Sequence, residues 1–232
     1  MRSPRTTGQI VGILLLAHFA SGLFTPYLIL SPLNNPLTFP GSDSTHAALV
    51  RLAVMLLFIG GAVPVAIAVT ARPYFHQHLP ALAVWIAGLA VVNLSLQCVE
   101  NAAWMSMFSL SQAAANASAG ESGSYNLIVA TVRWNWKWVH YTHLLVMVSW
   151  MFILFVALWR SAMAPRVFAA LGMLTALMQI SGITLPQFIP YPTPPMIVMG
   201  LPLGIVYLSL SVWLMVKGFS QQHGALAPNE AS

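Results

Sequence analysis

The chain has 232 residues, 58% of them hydrophobic and only 6% charged, with nine Lys or Arg against four Asp or Glu. A soluble chain carries about a quarter charged residues. There is too little polar surface here to cover a water-soluble body, so the composition reads as one polytopic membrane domain. The net charge of +5 is scattered as single cations at segment ends with no basic run, which excludes a nucleic-acid-binding surface.

Span one is predicted over 9–30, close to the about 20 residues a bilayer core requires, with His18 near its middle. The preceding Met1-Arg2-Ser3-Pro4-Arg5 is positive, but no clear cleavage site follows, so the segment reads as a first span and not a leader. Residues 31–45, rich in Pro, Asn and Gly, form a loop. Span two covers 47–70, with Arg51 in its first turns and Pro64 inside as a tolerated kink. Residues 72–78 are expected to be a short turn, with His76 and His78 solvated on it.

Spans three and four, 80–110 and 126–160, are each longer than one crossing needs. They are expected to continue past the bilayer as a helical hairpin with a mobile tip at 111–124. After a tight turn at 161–165, span five covers 166–185. Five prolines then keep 186–195 from being helical. Span six is 196–217. The fold class is an all-α six-helix membrane bundle over 1–219, with a polar cytoplasmic tail at 220–232. The single cysteine, Cys98, excludes an intrachain disulfide and, inside an apolar helix, is expected to be a buried thiol.

With both termini on the cytoplasmic side, Arg2, Arg5, Arg72, Arg160, Arg166 and Lys217 lie inside and only Arg51, Arg133 and Lys137 outside. The positive-inside rule therefore favours N-in, C-in. Counting 1.5 Å per residue from the inner ends puts Arg51, Glu100, Asn101, Lys137, His140 and His143 at similar depth near the outer boundary.

Glu100 is the one acidic residue in any apolar segment. Asn93, Gln97, Glu100 and Asn101 share one helical stripe, and Arg133, Lys137 and His140 another, with His143 a turn further on. Ionisable groups at membrane depth are costly against lipid, so both stripes should face inward. Glu100 is expected to meet Arg51, Lys137 or a histidine. The residues then outline an outward-facing polar pocket of Arg51, Gln97, Glu100, Asn101, Lys137, His140 and His143, roofed by 186–195. The plainer reading is a buried pair that only sets helix register. Trp104, Trp134, Trp136, Trp138 and Tyr141 read as an interfacial aromatic belt.

Other chemistries find weaker support. His140, His143 and Glu100 would make an N,N,O metal set, without the spacing of common zinc sites. His18 and His143 differ in depth, which disfavours paired axial ligation of haem. No nucleophile motif accompanies Thr142, Ser106 or Ser149. There is no inverted repeat for coupled transport, and spans five and six are too apolar for a pore within one protomer.

Pro165-Arg166 opening span five, Gly172 within it, the proline-rich loop, Pro202 with Gly204, and Trp213-Leu214-x-x-Lys217-Gly218 form a pattern. With Gly12, Arg51 and His143, it resembles an uncharacterised bacterial six-helix integral-membrane family catalogued as a domain of unknown function. The family often has a Gly-Glu pair late in span six, where this chain has Gly204 with no acid after it. The resemblance implies a multi-pass protein of the bacterial inner membrane and leaves activity and cofactor open.

Three functions remain in view. The first is a binding protein for a small amphipathic or anionic ligand such as a lipid. The second is an intramembrane enzyme with His140 or His143 as general base and Glu100 orienting it. The third is an accessory subunit, as a homo-oligomer or within a larger membrane complex.

Overall fold

In a computed structural model, residues 3–31, 44–116, 122–189 and 195–220 are described. They form six helices: α1 Pro4–Phe24, α2 Ser44–His78, α3 Pro80–Ala115, α4 Ser122–Ser161, α5 Arg166–Thr184 and α6 Pro195–Lys217. All six are long and apolar enough to cross a membrane. Each packs on its neighbours in chain order, and α6 returns to α1. The result is an up-and-down bundle closed into a ring.

Local chemistry sets the helix ends. Ser3 caps α1, with the Thr6 N–H donating to its Oγ at 3.1 Å, and Pro4 occupies the first turn, where its missing donor costs nothing. Pro26 interrupts the ladder near the other end, and Thr25–Leu30 winds as a π-helical segment.

The turn expected at 72–78 is helical instead. α2 runs through both Pro64 and Pro73 to His78. The break comes at Leu79 (φ −141°, ψ 58°), because Pro80 disfavours helical geometry in the residue before it. At the far end of the hairpin, helix extends past Leu110 to Ala115 and resumes at Ser122, with 117–121 outside the described residues. Pro186 lies in a single 3-10 turn, Leu185–Gln187, and Pro195 starts α6. Of the expected roof at 186–195, residues 190–194 lie outside the described residues, as does the tail beyond 220.

Helix lengths divide the molecule into two tiers. α5 has 19 residues, about 28 Å, whereas α3 and α4 have 36 and 40, about 54 and 60 Å. The hairpin therefore stands beyond the end of α5, as its length in the sequence predicts.

The lower tier holds the main apolar core, in which Leu15, Ile67, Ile86, Trp150, Phe155, Ala176 and Leu210 meet from all six helices. The upper tier holds a smaller one of Leu30, Val50, Ala53, Leu57, Trp104, Met107 and Phe108. Along α3, the buried residues between the two cores include Asn93, Gln97, Glu100 and Asn101. The bundle thus has a polar layer between two apolar ones.

Candidate functional site

Glu100 is 5% exposed and lies at the centre of that layer. Its two carboxylate oxygens accept from two successive histidines of α4. His140 Nδ1–H donates to Oε1 at 2.8 Å, and His143 Nδ1–H to Oε2 at 2.6 Å. The spacing of three on α4 brings both rings to one face. His143 is buried, and its Nε2 lies 3.2 Å from Asn93 Oδ1. With that amide orientation Nε2 donates to Asn93, and with the amide turned over Nε2 accepts from it.

The layer continues onto α2. Gln97 Nε2 donates to Asn101 Oδ1 at 3.0 Å, and Asn101 Nδ2 donates to the Val54 carbonyl at 3.2 Å. Gly61 lets α2 come this close: a Cβ there would sit 2.7 Å from Gln97 Cγ. Each polar side chain of α3 in this stretch therefore has a partner, as low-dielectric surroundings demand.

His140 differs from His143. Its side chain is 23% exposed, and Trp136 stacks on its ring with centroids 5.2 Å apart and planes 17° from parallel. Trp104 packs against Trp136 with ring centroids 4.9 Å apart. Trp104 and Trp136 each bury an indole N–H that has no partner among the described residues. His140 Nε2 likewise has no hydrogen-bond partner there. Three polar ring atoms thus line one aromatic stack at the edge of a carboxylate-anchored layer.

The expected ligand set is divided. Glu100, His140 and His143 come together, with Gln97 and Asn101 beside them. Arg51 does not join them. Val50, Ala53 and Leu57 turn the inward face of α2 to the upper core, and Arg51 lies exposed off that face. Lys137 does not reach Glu100 either. Its ammonium lies 4.7, 5.7 and 5.6 Å from the rings of Trp134, Trp138 and Tyr141, a cation–π arrangement set by spacings of three, one and four.

The aromatic belt divides in the same way. Trp134 and Trp138 are exposed as a belt requires, but Trp104 is buried and Trp136 half-buried inside the stack. Their positions carried the signal, since Trp104 is four residues after Glu100 and Trp136 four before His140. Cys98, expected to be buried, is exposed on α3 two residues from Glu100, because Glu100 and Gln97 hold the inward face.

For a metal, both carboxylate oxygens already accept from ring N–H groups, and among the described residues no three His, Cys, Asp or Glu are grouped to hold an ion. For haem, His143 has both nitrogens engaged. His18 lies in the lower core with its Nδ1 3.0 Å from the Tyr207 hydroxyl and its ring edge-on to Trp150 at 5.9 Å.

A family model described as Domain of unknown function (DUF4386) matches residues 10–218. The chain belongs to the DUF4386 family. No curated protein and no solved structure matches it. The match runs from the first turns of α1 to Gly218, which ends α6. The polar layer of this DUF4386 protein, with the Trp104–Trp136–His140 stack, therefore lies inside the family domain and not in an appended segment.

Proposed function

We propose that this multi-pass membrane protein binds the polar head of a small amphipathic or anionic ligand, such as a lipid, at the aromatic edge of its polar layer. The supporting observation is the set of ring atoms beside Glu100 that have no hydrogen-bond partner among the described residues: Trp104 Nε1–H, Trp136 Nε1–H and His140 Nε2. A buried donor without a partner is costly. Two indole donors on one stack, beside a histidine held in place by a carboxylate, suit an acceptor-rich head group. Glu100 fixes the His140 ring through Nδ1, which leaves Nε2 for the ligand. Gln97, Asn101 and His143 support that geometry, and Lys137 adds positive charge one helical turn away.

Trp104→Phe and Trp136→Phe test this directly, because each keeps the aromatic stack and removes only the N–H. If the donors are merely orphaned, either change is neutral or stabilising and co-purifying lipid is unaltered. On the proposed function, native mass spectra of the double variant lose the retained species, while thermal unfolding shifts by less than about 1 kcal/mol. Unaltered retention would reject the site.

An acid–base enzyme is favoured by one observation of its own, the 2.8 Å carboxylate–Nδ1 contact that orients His140 as a general base. Incubating the purified protein with a lipid extract separates the two readings. A product mass that disappears in His140→Ala means chemistry, and retention without a new mass means binding. An absorbance spectrum of the same sample reports any haem or other chromophore. A role as an accessory subunit or homo-oligomer would appear as co-purifying protein instead of lipid.

We propose that the chain lies in the bacterial inner membrane, as the family resemblance implies, and that both termini are cytoplasmic, on the strength of its cation distribution. Asn116 is exposed at the outer end of α3. In a Cys98→Ser background, Asn116→Cys is expected to react with a membrane-impermeant maleimide added to intact cells. Protection until the cells are broken would invert the topology.

A further inference from the structure

At the opposite end of the bundle, a groove of about 580 Å³ runs along the outside of the α5–α6 seam. Phe168 and Trp213 form one wall, with ring centroids 6.2 Å apart. Leu208, Val212 and Val216, exposed on one stripe of α6, line its floor side with Ser209, and Lys217 lines it in the last turn of the helix. These residues lie in helices that cross the membrane, so what fills the groove comes from the bilayer.

We propose that the groove is a binding site for one anionic phospholipid of the leaflet that meets the chain termini, with Lys217 on the phosphate and an acyl chain laid between α5 and α6. This site is separate from the polar layer and does not depend on the function proposed for it.

Two features argue for one anionic lipid in the groove, the first through its charge and the second through the length of its chain. The first is charge placement. Arg166 begins α5 at the same end, but its guanidinium lies 5.5 Å over the Trp159 ring, which turns it towards α4. That leaves Lys217 as the cation lining the groove. The second is depth. Leu208 lies nine residues from Lys217, about 14 Å along the helix. A leaflet contributes about 15 Å of hydrocarbon, so a head group at Lys217 would carry its chain to the far end of the groove.

A lysine in the last turn of a helix also complements the helix dipole and snorkels to the interface without any specific lipid. The test must therefore read lipid selectivity and not stability alone. The full-length protein, purified in a maltoside detergent, is titrated with phosphatidylglycerol or with phosphatidylcholine carrying the same chains, and thermal unfolding is followed.

Phosphatidylglycerol is expected to raise the unfolding temperature saturably, with phosphatidylcholine less effective at the same mole fraction. Lys217→Gln should raise the half-saturating concentration about fivefold, the effect of one cation near an anionic surface. Arg166→Gln should leave it in place. Equal stabilisation by both lipids, or an unshifted midpoint in Lys217→Gln, overturns the proposal. Should Lys217→Gln not fold, Val212→Trp fills the floor with the lysine intact. The midpoint then rises if the groove holds the lipid, and an unmoved midpoint overturns the proposal.

Discussion

Glu100→Ala is expected to lower the stability of the bundle by about 3 kcal/mol. The change leaves two Nδ1–H donors without their acceptor, one of them on a buried ring. Breaking a buried ion pair by removing one partner costs about 3–5 kcal/mol. Single interhelical hydrogen bonds in membranes average well under that, which argues for the lower end. Glu100→Gln should cost less, because the amide keeps one oxygen acceptor for one histidine while setting an NH₂ against the other. Converting the whole unit, Glu100→Met with His143→Leu and Asn93→Leu, should recover part of the loss, since Asn93, whose partner is His143 Nε2, is then not left buried and unpaired. The measurement is unfolding in detergent for all three variants. An Ala variant as stable as the parent would mean that the carboxylate is not enclosed by the two rings.

Gly8→Ala and Gly12→Ala are expected to open the seam where α6 returns to α1. A Cβ on Gly8 would run into the backbone of Gly218 and Phe219, and one on Gly12 would lie 2.6 Å from Met215 N and 2.8 Å from the Ser211 carbonyl. Both obstacles are main chain, which cannot rotate aside as a side chain can. The pair is a Gly-x-x-x-Gly stripe, the arrangement that lets membrane helices approach closely. Overpacking of this kind costs about 1–3 kcal/mol at each site. Gly88→Ala is the control. Nothing lies within 4 Å of the added atom, so α3 should be unchanged or slightly stabilised through helix propensity. If Gly8→Ala and Gly88→Ala unfold at the same temperature, α1 and α6 do not pack as described.

Gly8 and Gly12 stand four apart in the sequence, a spacing from which no helix seam is predicted, and one chain gives no reason to prefer α6 as their partner over the neighbouring α2. The same limit explains the site. That Glu100 needs partners follows from a lone carboxylate in an apolar run, and the candidate partners follow from the equal depth of cations and histidines. Which of them meet it depends on how each helix is rotated. Rotation is set by apolar packing: Val50, Ala53 and Leu57 turn Arg51 outward, while Trp104 and Trp136 join the inward side and bring His140 with them.

Composition and segment length by themselves determined that this is a six-helix membrane bundle with a protruding hairpin, because a bilayer tolerates only apolar helices of sufficient length. They also determined the level at which its polar residues gather, because rise per residue is constant. The tertiary structure alone decided that Glu100 bridges His140 and His143, that Lys137 rests among aromatic rings, and that the Trp104 and Trp136 indole N–H groups beside them are buried with no partner among the described residues. The physical reason is that a helix displays every side chain to some neighbour, and only the packing of all six against one another selects which.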